Sequence, residues 1–187
     1  MSELLQDRAK SLVDLFFAQR DEELLAALRG QAVDASNMDA LRAHTGVTDD
    51  AVLADLVRVG VTPETLAAFS LVPMFAVAWS DRMLDDAERR AILLECIALG
   101  IASDSPAHKL VESWLSSEPN PALIAAWDDF AGSLLPALGA SERVRMSEET
   151  MERARRVARA SGGLLGIGAT SASEQRAIAW LERVFGA

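Results

Sequence analysis

Two stretches of this chain, about eighty residues apart, read alike, and that repetition limits what the chain can fold into. Val77-Ala78-Trp79-Ser80-Asp81 runs into a loop and then Asp85-Asp86-Ala87-Glu88-Arg89-Arg90-Ala91-Ile92. Val157-Ala158-Arg159-Ala160-Ser161 runs into a loop six residues longer, then Ser171-Ala172-Ser173-Glu174-Gln175-Arg176-Ala177-Ile178. In each, an Asp or Ser stands three residues before a Glu at the head of a helical pattern. That is capping-box spacing: the cap side chain accepts from the amide three residues on, and the glutamate reaches back to the cap amide. Each stretch therefore reads as helix, loop and capped helix. The expected arrangement is two such units facing each other, a common way to close a helical core.

The remainder agrees with helices. There is no tyrosine and no sustained period-two alternation of β-branched residues. From Glu3 to Leu28, Leu4, Leu5, Ala9, Leu12, Leu15, Phe16, Leu24 and Leu28 recur mostly at three- and four-residue spacings, and Gly30 ends the pattern. A short helix is expected over 38–43 and another over 49–59, stopped by Gly60. Thr62 as cap and Pro63 in the first turn predict a helix that is apolar almost all round from Leu66 to Trp79, hence central and buried, with a kink at Pro73. Helices are also expected over 106–115, 120–138 and 141–160. The sum is an all-α, single compact bundle of about eight or nine helices.

Half of the 187 residues are hydrophobic, enough for a sizeable core. The net charge of -10 and pI near 4.7 argue against nucleic acid or an anionic membrane as main partner, since both need a positive field. The lone cysteine, Cys96, lies in the apolar run Ile92–Ile97 and reads as a core residue; no intrachain disulfide can form, which suits a reducing compartment. No basic-then-apolar leader opens the chain, and the longest apolar stretch, interrupted by Ser70 and Pro73, falls short of the roughly 20 residues of a membrane span. A cytoplasmic location is expected. The Ala/Arg-rich, Lys-poor composition points to a GC-rich bacterial genome.

The first loop gathers Asp81, Asp85, Asp86 and Glu88. Clustered carboxylates suit a hard divalent cation of the calcium or magnesium type. The same acids also suit helix capping and the positive end of a helix dipole. The loop is not an EF-hand: counted from Asp81, position three is Met83 and position six Asp86. The second loop, Gly162-Gly163-Leu164-Leu165-Gly166-Ile167-Gly168, has no preceding strand and no following Lys-Ser/Thr, so backbone packing is expected there rather than phosphate binding. His44 and His108 lack the Glu-x-x-His pattern, and no serine sits in Gly-x-Ser-x-Gly. No catalytic group is therefore assigned. Trp79, Trp114, Trp127 and Trp180 all fall on helical patterns and read as core. The alternatives are an aromatic groove, or a ligand pocket among the first three that would make the chain a small-ligand protein or an enzyme. The Arg/Glu-rich stretch 141–160 reads as a solvated, paired face.

Ala76-Val77-Ala78-Trp79-Ser80-Asp81, followed by Glu88, resembles the signature of TerB-like tellurite-resistance proteins. In those an Asp-Gly pair is followed, seven residues after the Asp, by a Glu that opens the next helix. Arg82 stands here where the family usually has Gly, and Ser161 where a second Asp would be expected. The resemblance covers roughly residues 62–187. It implies a TerB-like helical domain over 61–187, with 1–60 a helical extension of this chain's own. It further implies a fold related to the N-terminal part of a membrane-anchored co-chaperone, and a non-catalytic, stress-response role exercised through protein contacts. Some members bind a metal ion through acidic residues at paired helix-loop-helix units. By that likeness Asp81 and Glu88 would be first-unit ligands and Glu174 a second-unit ligand.

Overall fold

The structure, a computed structural model, describes residues 33–160 and 171–186. The expected helix over 3–28 and the loop Gly162–Gly168 lie outside the described residues. Among the described residues there are nine α-helices, one 3₁₀ turn and no strand. They are α1 (33–45), α2 (Asp50–Arg58), α3 (Leu66–Phe69), α4 (Val72–Ala78), the 3₁₀ turn Trp79–Asp81, α5 (Asp86–Ala98), α6 (Pro106–Ser116), α7 (Pro121–Ala137), α8 (Ala140–Ala160) and α9 (Ala172–Phe185). None is long and apolar enough to cross a membrane. The all-α bundle expected from the periodicity is present.

The apolar helix is the centre, as its all-round pattern demands: Val72, Met74, Phe75 and Val77 are fully buried. It differs from the expectation in one respect. Thr62 does not cap a continuous helix kinked at Pro73. Residues 62–65 form a turn, closed by the Thr65 amide on the Thr62 carbonyl at 3.0 Å, and the helix is split in two at Ser70–Leu71. Pro73 has no N–H to offer the Phe69 carbonyl, so the chain breaks before it, and Pro73 takes up the first turn of α4 where no donor is needed.

Around α4 pack α7, α8 and α9, while α5 lies against α8. The helices of the two repeated units thus lie against one another, and the matched residues Val77 and Val157, Ala78 and Ala158 are all buried. The helix expected over 38–43 is longer, spanning 33–45, and contributes Leu41; α2 contributes Leu53 and Leu56 and packs on α7. Residues on both sides of position 60 thus feed one core. Gly60 and Gly100 follow α2 and α5 at φ +85° and +69°, left-handed conformations that end a helix at little cost only for glycine.

Candidate functional site

The site is assembled from the two capped helix starts. The 3₁₀ turn ends at Asp81, whose Oδ1 accepts from the Met83 amide at 3.0 Å. Arg82 then turns the chain with φ +67°, the one non-glycine residue with positive φ among the described residues, and its amide donates to the Trp79 carbonyl at 2.8 Å. Asp85 Oδ1 accepts from the amides of Ala87 and Glu88, both at 2.7 Å, and Glu88 Oε2 accepts from the Asp85 amide at 3.0 Å. In the second unit Ser171 Oγ accepts from the Glu174 amide at 3.1 Å, and Glu174 Oε2 accepts in return from the Ser171 amide. Both capping boxes are formed as the spacing predicts.

Capping glutamates usually sit at the surface. These two do not: Glu88 is 3% exposed and Glu174 5%. Burial pushes the Glu88 carboxyl up to about 7, and the nearby charges of Asp85, Glu174 and Asp81 push the same way, against the Asp85 amide that favours the charged form. The structure therefore brings all four sequence-derived candidates, Asp81, Asp85, Glu88 and Glu174, into one electrostatic neighbourhood. Asp86, exposed like Asp81 and Asp85, is not among the charges that act on Glu88.

As a coordination set the cluster is incomplete. Among the described residues no three His, Cys, Asp or Glu side chains come together in a way that would hold an ion. Backbone amides already occupy one oxygen each of Asp81, Asp85 and Glu88. A calcium ion needs six to eight oxygens.

Two features beside the cluster were not foreseen. Glu95, 8% exposed, accepts from Arg156 Nε and Nη2 at 2.9 and 2.7 Å and pairs with Arg153 at 3.5 Å, tying α5 to α8. Its sequence signal was a lone acid inside the apolar run Ile92–Ile97, facing a helix with arginines at spacing three. The other pairs on α8, such as Arg156 with Glu152, are the solvated kind expected. Secondly, Trp79 Nε1 donates to the Trp114 carbonyl at 2.9 Å and Arg89 Nη2 to the Leu115 carbonyl at 2.7 Å. These donors satisfy the open C-terminal carbonyls of α6 and fasten it beside the first unit.

Among the described residues the tryptophans fall in separate packing groups. Trp114 packs edge-on against Phe75, and Trp127 against Trp180 and Phe185. Trp127 lines a groove of about 420 Å³ between α3, α7 and α8, and Trp114 a separate one of about 460 Å³ beside Leu110 and Leu123. Cys96 is buried, which pushes its thiol up to about 11 and leaves it an inert core residue. No family model, curated protein or solved structure matches this chain.

Proposed function

We propose that this chain is a non-catalytic helical module of the TerB-like kind that acts through protein contacts in a bacterial stress response, in the cytoplasm. One observation carries the reading: the two capped helix starts hold Glu88 and Glu174, both buried, in one acidic neighbourhood with Asp81. The left-handed Arg82 adds support. The position at which TerB-like proteins usually carry Gly is here one whose backbone favours Gly. The test is affinity capture by the full chain from cells of the encoding organism, with and without tellurite challenge. A stoichiometric partner retained by wild type and lost on unfolding the bait is expected. Identical proteins on native and unfolded bait would overturn the reading.

A second reading is favoured by the crowding itself. A divalent ion of the calcium or magnesium type among Asp81, Asp85, Glu88 and Glu174 would relieve their mutual repulsion. Thermal melts of chelator-treated protein with calcium, magnesium, manganese and zinc in turn separate the two. Binding to the folded state stabilises by about 2.7 kcal/mol at a hundredfold excess over Kd. A saturable rise that Asp81→Ala/Glu88→Ala abolishes establishes the metal reading. No rise with any ion leaves the acids as helix caps and returns the weight to protein contacts.

A further inference from the structure

We propose that α9 is a latch: it comes away from the body as one unit while the core around α4 stays folded, and so uncovers the apolar surface about Trp127. The proposal does not rest on the TerB-like reading. Its ground is how α9 is held. Six of the seven residues of α4 are buried, against two of the fourteen of α9, and one of those two is the acid Glu174. Leu181 is the one apolar residue of α9 that is fully enclosed. Ala177, Ile178, Trp180, Val184 and Phe185 lie against the core but stay half-buried.

The matching helix of the first unit shows a firmer attachment. α5 buries Ile92 and Cys96, and Arg89 and Glu95 fasten it to α6 and α8. Among the described residues, the polar side-chain contact from α9 to another helix is Glu182 with Arg155 at 3.2 Å, an exposed pair of the kind that stabilises little. Surface crevices flank the helix. Two, of about 350 and 650 Å³, run between α8 and α9, and one of about 620 Å³ lies where Val184 faces α2 and α7. Along them α9 lacks the dispersion contacts of a close-packed interior. At its head, docking brings the buried Glu174 into the neighbourhood of Glu88, which opposes docking whenever both are charged. A helix with few buried apolar residues and open flanks stands at the low end of local stability, and such elements open as cooperative units. When α9 leaves, Trp127 loses the rings of Trp180 and Phe185, whose centroids lie 5.5 and 6.2 Å from its own. A buried tryptophan then faces water, the residue type that most often anchors a protein interface.

The test is native-state hydrogen exchange on the full chain, in wild type and in Val111→Ala. Val111 is fully buried on α6, which packs on α3, so its truncation weakens the whole fold at a distance from α9. In wild type, after correction for intrinsic rates, the α9 amides should exchange about tenfold or more faster than those of α4. They should share one opening, and urea below the unfolding transition should speed it less steeply than it speeds α4. Val111→Ala should speed exchange in α4 by about tenfold or more and leave α9 at its wild-type rate. Equal protection of α9 and α4 in wild type overturns the proposal. So does an α9 rate that rises with that of α4 in Val111→Ala, because α9 would then open only when everything unfolds. Rates that climb residue by residue toward Phe185, with no response to urea, would mean a fraying end instead of a unit and overturn it as well. Where Val111→Ala does not fold, the wild-type comparison decides alone.

Discussion

Ile92 and Ile178 hold the same place in the two units, four residues after a capping-box glutamate, yet Ile92 is fully buried and Ile178 only partly so. The helices that lead into the loops do not differ in this way, because α4 and α8 pack on each other and bury their matched Val-Ala pairs equally. The divergence comes after the loops. Arg89 carries the start of α5 against the end of α6, and the far end of α5 is pinned to α8 through Glu95. On α9, Arg176 turns back to its own Ala172 carbonyl at 3.1 Å, and Arg155 meets Glu182 across an exposed edge. The shared motif thus encodes the cap, a local matter. Burial is set by what the neighbouring helices supply.

The largest expected effect tests that difference directly. Ile92→Ala should destabilise by about 2–5 kcal/mol, because a fully enclosed site cannot collapse around the lost methyl groups. Ile178→Ala, at a half-open site, should cost about 1 kcal/mol. Urea unfolding of the two variants decides. Equal losses would mean that the two units are equally enclosed in solution.

The acidic neighbourhood gives a smaller, pH-dependent effect. The Glu88 carboxyl rises from an ordinary 4.5 to about 7 on folding, so between those values the native state binds more protons than the unfolded one. Stability from this group is complete below about pH 4.5 and falls as pH rises through 7, by roughly 3 kcal/mol. Glu88→Gln keeps the capping amide contact and should flatten the slope in urea titrations from pH 4.5 to 8. A wild type with no falling limb there would mean that Glu88 is already ionised at low pH. An ion bound at the cluster would remove the limb in the same way, so repeating the titration after chelation tells the two cases apart.

Both capping boxes were legible because they are local: three residues of spacing and the right side chains define them. So was the burial of α4, since no face of Leu66–Trp79 is polar. Two things were not. The break at Ser70–Leu71 depends on where Pro73 falls relative to the turn, and periodicity carries no such register. The Glu95 bridge joins residues 61 positions apart, and only the packing of α5 on α8 sets that pairing. Of the candidate site, the residues were legible but not their burial. Nothing in a capping box says whether its glutamate faces water or a second glutamate.

Arg82 sets the first unit's loop apart, and its effect should be the smallest. A left-handed conformation costs an ordinary residue about 1–2 kcal/mol, which glycine escapes. Glycine in turn loses more conformational freedom on folding, by roughly 0.5–1 kcal/mol. The two offset in part, so Arg82→Gly should raise stability by about 0.5–1 kcal/mol. Arg82→Val should lower it by more than that, because a β-branched side chain fits the left-handed region worst. The arginine is exposed and no ion pair holds it among the described residues, so its charge has little part in the outcome. A paired measurement in urea therefore reads the backbone alone. If Arg82→Gly were clearly destabilising, the turn after Asp81 would not be left-handed in solution. Asp81 and Glu88 would then lose the geometry that brings them together, and with it the main support for likening the first unit to TerB.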